Sequence, residues 1–246
     1  NDGALDSLLY RSSDPPFANN PDLQPNRFTS FFTDTSAYFL TWNNLGTRRL
    51  QDISPQNFDD HVPEPWYRYL VLQEYQESFF VGGGGADDYW NVLNPDWVTG
   101  EGVIGGAFRT GDSPDVMSRR LKTPGFANSG NPVHVEGRVV GANNTAQHIT
   151  AMDFDLFEVF RDTTANINVH TFEFDLHISL GPETPIRFRA YGQTTPQDNQ
   201  RACWATLDYD RNFNLNGDSA TIVREWMETD TAYFRFLNAE VNSEAW

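Results

Sequence analysis

The 246-residue sequence contains one cysteine, one lysine and no long hydrophobic run. A single cysteine excludes an internal disulfide and a cysteine-based metal cluster. No stretch reaches the roughly 18 apolar residues that a membrane-spanning helix needs. We therefore expect no membrane span, and we expect a fold that depends on an ordinary hydrophobic core.

Positive charge is also scarce. The chain has 34 Asp and Glu residues against 17 Lys and Arg residues, which gives a formal net charge of −17. A polyanion would be repelled by such a surface, so the composition argues against nucleic acid as a partner. The hydrophobic share is 39% and the aromatic share 14%, enough to bury a sizeable core.

The main pattern in the chain is alternation of apolar with charged residues, which predicts half-buried β-strands. Residues 66–80 fit both a helical and a strand period, and their aromatic content favours a strand. Turn residues separate these segments at intervals of about 8–12 residues, as in a sandwich or jelly roll. We predict further strands over residues 35–42, 133–140, 149–160, 168–180, 186–191, 202–209, 221–227 and 232–237.

These patterns predict an all-β chain with a jelly-roll-like β-sandwich and an additional N-terminal β segment. Gly and Pro are frequent around residues 111–132, which suggests a linker there. We therefore assign residues 1–130 to an N-terminal irregular and β segment and residues 131–246 to the sandwich. One continuous body is the alternative. The sequence begins at Asn1 and ends abruptly at Trp246, and we expect a longer parent polypeptide.

A polar segment after the predicted strand 202–209 resembles the first half of a calcium-binding EF-hand loop. The twelfth position counted from Asn212 is Val223, where such a loop needs a bidentate Glu. A weak calcium site is therefore the one metal hypothesis, and no other cofactor is expected. The candidate ligands are Asp208, Asp210, Asn212, Asn214, Asn216 and Asp218.

No enzyme signature stands out, so we expect no catalytic residue in this chain. Cys203 lies in a predicted strand with no base nearby in sequence, which favours a buried structural cysteine. The four glycines at 82–85 lack the Lys-Ser/Thr of a phosphate-binding loop. No serine lies in a Gly-x-Ser-x-Gly turn.

Several phrases resemble the non-catalytic β region of gingipain-type cysteine peptidases, a family of the Bacteroidetes lineage that includes the sortase of the type IX secretion system. The most specific phrase covers residues 31–42, Phe-Phe-Thr-Asp-Thr-Ser-Ala-Tyr-Phe-Leu-Thr-Trp. Asp210 departs from the family, which has proline there. The phrases occur in the family's order, at residues 1–10, 31–42, 46–49, 99–102, 207–215 and 233–246.

This resemblance implies an extracellular or cell-surface β segment that precedes a cysteine peptidase domain. The family's catalytic His and Cys belong to that downstream domain, so the resemblance assigns no catalytic role to Cys203. The expected partners are the rest of the polypeptide, in particular the peptidase domain, or secretion and surface proteins.

Two other functions remain open for a jelly-roll fold, because fold alone does not fix function. The first is a carbohydrate-binding or adhesion module, whose ligand-binding aromatic residues would be Trp66, Tyr67, Trp90 and Trp97. The second is a viral capsid jelly roll, which would assemble into large particles.

Overall fold

The computed structural model describes residues 25, 62–82, 99–110, 116–192, 197–215 and 234–238. In these ranges the chain forms β-strands and turns, with no α-helix. No helix in them is long and apolar enough to cross a membrane. The strands are β1 (Tyr67–Glu74), β2 (Ser78–Phe80), β3 (Gly102–Ile104), β4 (Ala107–Arg109), β5 (Val116–Lys122), β6 (Val133–Gly141), β7 (His148–Phe154), β8 (Phe157–Thr164), β9 (Val169–Leu176), β10 (Glu183–Ala190) and β11 (Asn199–Arg211).

Two antiparallel sheets form the sandwich. The first has the order β1-β11-β6-β9, with β4 also paired to β11, and the second has the order β5-β10-β7-β8. The chain alternates between them as in a jelly roll, with the hairpin β7–β8 kept within the second sheet. A separate pair, β2–β3, lies outside both sheets. The predicted all-β, jelly-roll-like β-sandwich is confirmed.

Strands from the first half of the chain take part in both sheets. β1 and β4 pair with β11, and β5 pairs with β10. β5 occupies part of the segment 111–132, which we predicted as a linker. It belongs to the sandwich, because Met117 and Leu121 are buried in the core while exposed residues lie on either side of them. The predicted domain boundary near residue 130 depends in part on residues outside the described ranges, so it stays a prediction.

Most predicted strands that fall in the described ranges are present, within a few residues of their predicted ends. Segments 133–140, 168–180, 186–191 and 202–209 correspond to β6, β9, β10 and β11. Segments 35–42 and 221–227 lie outside the described residues. In 232–237, the described part contains only an isolated bridge from Leu237 to Asn214.

The prediction of one strand over residues 149–160 was wrong. The chain turns at Asp155, which has a positive φ of 57°, and β7 and β8 pair as a hairpin. No glycine or proline marks this turn, and the apolar alternation continues across it. The sequence pattern therefore ran two strands together.

The core between the sheets consists of alternating inward side chains. β10 shows the rule: Ile186 and Phe188 are fully buried, whereas Arg187 and Arg189 point away from the core. The Phe188 ring stacks on Phe108 of β4, with centroids 6.1 Å apart. It also contacts Phe172 of β9 at 6.0 Å, so aromatic rings link the two sheets.

A second, smaller core lies on the other face of the first sheet. The register of β11 against β6 shifts between Ala202 and Trp204, which marks a β-bulge at Cys203. A bulge re-aims side chains, and Cys203 and Trp204 pack in one cluster with Ile104 of β3 and Val140 of β6. The β2–β3 pair thereby covers part of the outer face of this sheet.

We predict that Phe188→Ala lowers the free energy of unfolding by about 3–5 kcal/mol, because it leaves a cavity where three rings meet. The matched control is Phe157→Ala, since Phe157 is 75% exposed and its loss should change stability by about 0.5 kcal/mol or less. Urea unfolding of both variants measures the difference. Equal losses would contradict the assignment of the core.

Candidate functional site

The first predicted calcium ligands form an ion-pair cluster at the end of β11. Asp210 is buried, and its carboxylate accepts hydrogen bonds from Ser129 Oγ at 2.5 Å and Asn131 Nδ2 at 2.7 Å. Arg68 of β1 lies 3.1 Å from the same carboxylate and 3.0 Å from Oδ1 of Asp208. The guanidinium therefore occupies the position between the two carboxylates that a cation would share.

The following asparagines shape a turn. Asn212 Oδ1 accepts the backbone N–H of Asn214 at 3.0 Å, and Asn214 Oδ1 accepts a hydrogen bond from Asn238 at 2.8 Å. Asn216 and Asp218 lie outside the described residues. Within those residues, no group of three or more His, Cys, Asp or Glu side chains has the arrangement of a metal site. The calcium hypothesis stays a prediction.

The aromatic candidates differ in position. Trp66 precedes β1 and is half-buried, whereas Tyr67 is buried. The Tyr67 ring packs against Phe213, with centroids 4.9 Å apart, so both rings belong to the packing at this end of the sandwich. Trp90 and Trp97 lie outside the described residues. The sugar-binding role of the four stays a prediction.

Cys203 is a buried free cysteine, as predicted from its place in a strand. Its surroundings are apolar, and burial raises the pKa of the thiol far above its usual value, with a smaller opposing effect from Arg138. A thiolate is the reactive form of cysteine. The Cys203 thiol is therefore a poor nucleophile in the folded chain.

A fully enclosed polar pair joins His148 at the start of β7 to Asp198 just before β11. The two side chains are 1% and 0% exposed, and His148 Nδ1 lies 2.5 Å from Asp198 Oδ1. The other ring nitrogen lies 2.9 Å from the carbonyl oxygen of Asn143. Both nitrogens thus face acceptors inside the protein, which leaves neither to exchange a proton with a substrate.

Asp198 gathers donors from several connections at this end of the sandwich. Its Oδ2 accepts hydrogen bonds from the backbone N–H groups of Ile149 at 3.2 Å and Gly192 at 2.9 Å, and from Gln200 Nε2 at 2.8 Å. A Cβ at Gly192 would overlap the Asp198 carboxylate. The absence of a side chain there is what permits this close approach.

The backbone on either side of Asp198 is held as well. Its N–H donates to Thr110 Oγ1 at 3.0 Å, and its carbonyl oxygen accepts the N–H of Thr110 at 3.1 Å. Asn143 Nδ2 donates to the carbonyl oxygen of Gln197 at 2.7 Å. The network therefore ties the end of β4 to the connections β6–β7 and β10–β11. We name these residues and His148 the Asp198 network.

Sequence analysis did not find the Asp198 network. His148 and Asp198 are 50 positions apart, and no local spacing joins them. His134 also pairs with a residue that is distant in sequence. It lies 2.9 Å from Asp175, the residue opposite it where β6 pairs with β9. Only the strand register could have revealed such pairs.

A ladder of ion pairs crosses the outer face of the second sheet, and sequence analysis missed it too. Asp153 of β7 is fully buried, and its carboxylate binds Arg187 at 2.7 Å and Arg189 at 2.5 Å. Arg189 also reaches Glu158 of β8 at 3.2 Å, and Glu158 binds Arg161 at 2.7 Å. This arrangement neutralises buried charge and uses the arginines structurally.

We predict that Asp198→Asn destabilises the fold by about 3–5 kcal/mol, because it replaces a buried carboxylate oxygen with an NH₂ group that faces other hydrogen-bond donors. The matched control is Asp175→Asn, since Asp175 forms an exposed pair with His134 worth about 1 kcal/mol at most. Chemical denaturation at neutral pH compares the two. A loss no larger than that of the control would contradict the structural role of Asp198.

We also predict that the Cys203 thiol resists modification in the native state, because it is buried and stays protonated. A thiol-reactive chromogenic disulfide should label Cys203 only at the rate of unfolding and should label it fully in denaturant. Fast labelling of the folded chain, with no loss of structure, would contradict this.

Comparison with known proteins begins with the sequence, for which no family model and no curated protein gives a match. Among solved structures, the chain is similar to dimeric latent PorU from Porphyromonas gingivalis, with a TM-score of 0.45 and 10% identity over 63% of this chain. The aligned part spans 14% of that PorU chain.

Two further structures align less well. The CBM36-1 domain of a multidomain xylanase, from the hindgut metagenome of Trinervitermes trinervoides, aligns over 57% of this chain and 95% of its own, with a TM-score of 0.34 and 12% identity. A structure of infectious bursal disease virus, Gt strain, aligns over 71% of this chain and 40% of its own, with a TM-score of 0.27 and 15% identity. The jelly-roll assignment accordingly follows from the strand order of this chain itself.

Proposed function

We propose that this chain is a non-catalytic β-sandwich segment of a larger secreted or cell-surface protein of the gingipain-like, type IX secretion-associated kind. Its role is to support or present a downstream cysteine peptidase domain. The family and the location follow from the sequence resemblance at residues 31–42 and the phrases around it. The non-catalytic role follows from how the chain uses its reactive side chains.

One observation carries the non-catalytic role: the reactive groups that lie deepest in the described part are committed to structure. His148 has acceptors at both ring nitrogens, and Asp198 accepts hydrogen bonds from backbone and side chains. Cys203 lies in an apolar cluster and stays protonated. A nucleophile needs a base within hydrogen-bond reach and access to substrate. The burial of His148, Asp198 and Cys203 denies all three access to a substrate.

The surface supports a partner within the same polypeptide. Leu156 and Phe157 form the tip of the β7–β8 hairpin and are 76% and 75% exposed. Leu70, on the outer side of β1, is 59% exposed. Adjacent large apolar side chains at a hairpin tip are costly to leave in water, and a neighbouring domain that covers them would gain stability from their burial.

The experiment compares the excised chain with the full-length product of its gene on a peptide library. We expect no hydrolysis by the excised chain, because in the part that the structure describes His148, Asp198 and Cys203 are buried away from any substrate. We expect the full-length protein to hydrolyse peptides through a Cys and His encoded beyond Trp246. Cys203→Ala serves as the matched variant and should leave full-length turnover unchanged.

Three results would overturn the proposal. Turnover by the excised chain that Cys203→Ala abolishes would make this chain the enzyme. Specific glycan binding that is lost in Trp66→Ala would favour a carbohydrate-binding module. Assembly of the chain into large closed particles, seen by light scattering, would favour a capsid protein.

A further inference from the structure

Two arginines lie side by side on the outer face of the first sheet. β4 pairs with β11 so that Arg109 is opposite Asn199 and Ala107 is opposite Arg201. Residues opposite each other share a face, so Arg109, Asn199 and Arg201 all lie on the same side of the sheet. Diagonal neighbours of this kind are about 7–8 Å apart, within reach of long side chains.

Neither arginine is neutralised by a carboxylate in the described ranges. Arg201 Nη1 donates to Ser78 Oγ at 2.8 Å and to the carbonyl oxygen of Gly105 at 3.1 Å, while Arg201 Nε is buried without a hydrogen-bond partner. Arg109 is exposed and forms no ion pair with any residue of the described ranges. Burial lowers the pKa of Arg201, and repulsion from Arg109 lowers it further.

This is unusual for the chain, in which acids outnumber bases two to one. Of the eight arginines elsewhere on the strands, Arg138 contacts Thr171 and Trp204 and Arg211 lies over Tyr69. The other six each have a carboxylate partner within 4 Å. They are Arg68, Arg119, Arg120, Arg161, Arg187 and Arg189. Counting only the residues that the structure describes, these two adjacent guanidinium groups give a local charge of about +2 on a chain of net charge −17.

We propose that Arg109 and Arg201, with Asn199 beside them, form a binding site for a phosphate group, as free phosphate or as a phosphomonoester. A dianion matches the two positive charges, and its oxygens accept from the forked N–H donors of guanidinium. Asn199 adds an amide next to both arginines, because it is opposite Arg109 and two residues before Arg201. The Arg201 guanidinium lies 5.3 Å from the centroid of the Phe80 ring, and this cation–π contact helps to hold Arg201 in place.

The Asp198 network fixes the backbone on both sides of this site. Thr110 directly follows Arg109 and hydrogen-bonds Asp198 through its backbone and its hydroxyl. The N–H of Asn199 donates to Asn143 Oδ1 at 3.2 Å. The donors are thus carried on strands whose positions are set before a ligand arrives, which lowers the entropic cost of binding.

The test is an NMR titration of the isotope-labelled chain with inorganic phosphate, in which chloride is withdrawn to keep the ionic strength constant. We expect saturable shifts confined to the amides of β4 and the first part of β11. A second titration uses O-phosphoserine. Tighter binding of either ligand supports the site and identifies free phosphate or a phosphomonoester as its source.

Arg109→Ala should weaken phosphate binding on the order of tenfold or more, because it removes a charge-assisted contact. Arg109 is exposed, so this variant should fold normally. Arg201→Gln should weaken binding similarly, with its melting temperature measured alongside. Arg120→Ala is the matched control, because Arg120 is 73% exposed and lies on β5 in the other sheet.

The proposal would be overturned by an absence of saturable shifts up to about 50 mM phosphate, where a millimolar site is filled. It would also be overturned if Arg120→Ala weakened binding as much as Arg109→Ala does, since that would show only a general charge effect.

Discussion

The carboxylate of Asp198 is the constraint on which one end of the sandwich depends. It is fully buried, it pairs with His148, and it accepts hydrogen bonds from both backbone and side chains. A buried carboxylate without such partners would cost several kcal/mol, so these donors must stay in place. The strand β11 begins directly after Asp198 and pairs with β1, β4 and β6, so the first sheet takes its position from this network.

The same principle recurs elsewhere in the fold. Asp153 on the second sheet binds two arginines, and Asp210 at the other end of β11 binds Arg68 together with neutral donors. An acid-rich chain can fold compactly only if the carboxylates it buries are matched by cations or N–H groups. In the described residues, Arg68, Arg187 and Arg189 are used in this way. In the described ranges Arg109 and Arg201 have no such carboxylate partner, unlike Arg68, Arg187 and Arg189.

Much of the fold could be predicted from the alternation of apolar and polar residues within single strands. Alternation located β6, β9, β10 and β11, and it placed Cys203 in a buried strand. It failed where local signals were silent: Asp155 turns the chain without glycine or proline, and β5 lies in a segment whose Gly and Pro residues suggested a linker. The candidate calcium site shows a different limit. Asp208 and Asp210 are close in sequence and were predicted as metal ligands, but Arg68, which pairs with both of them, is far away in sequence.

The sequence alone determined the all-β class, the burial of alternate residues, the scarcity of positive charge and the resemblance on which the proposed function rests. These properties depend on composition and on residues near one another in the chain. Only the tertiary structure decided that His148 meets Asp198 and that Arg109 lies beside Arg201. Such pairs join residues 50 or more positions apart, and a shift in strand register would separate them. Contacts set by register cannot be seen in the pattern of a single strand.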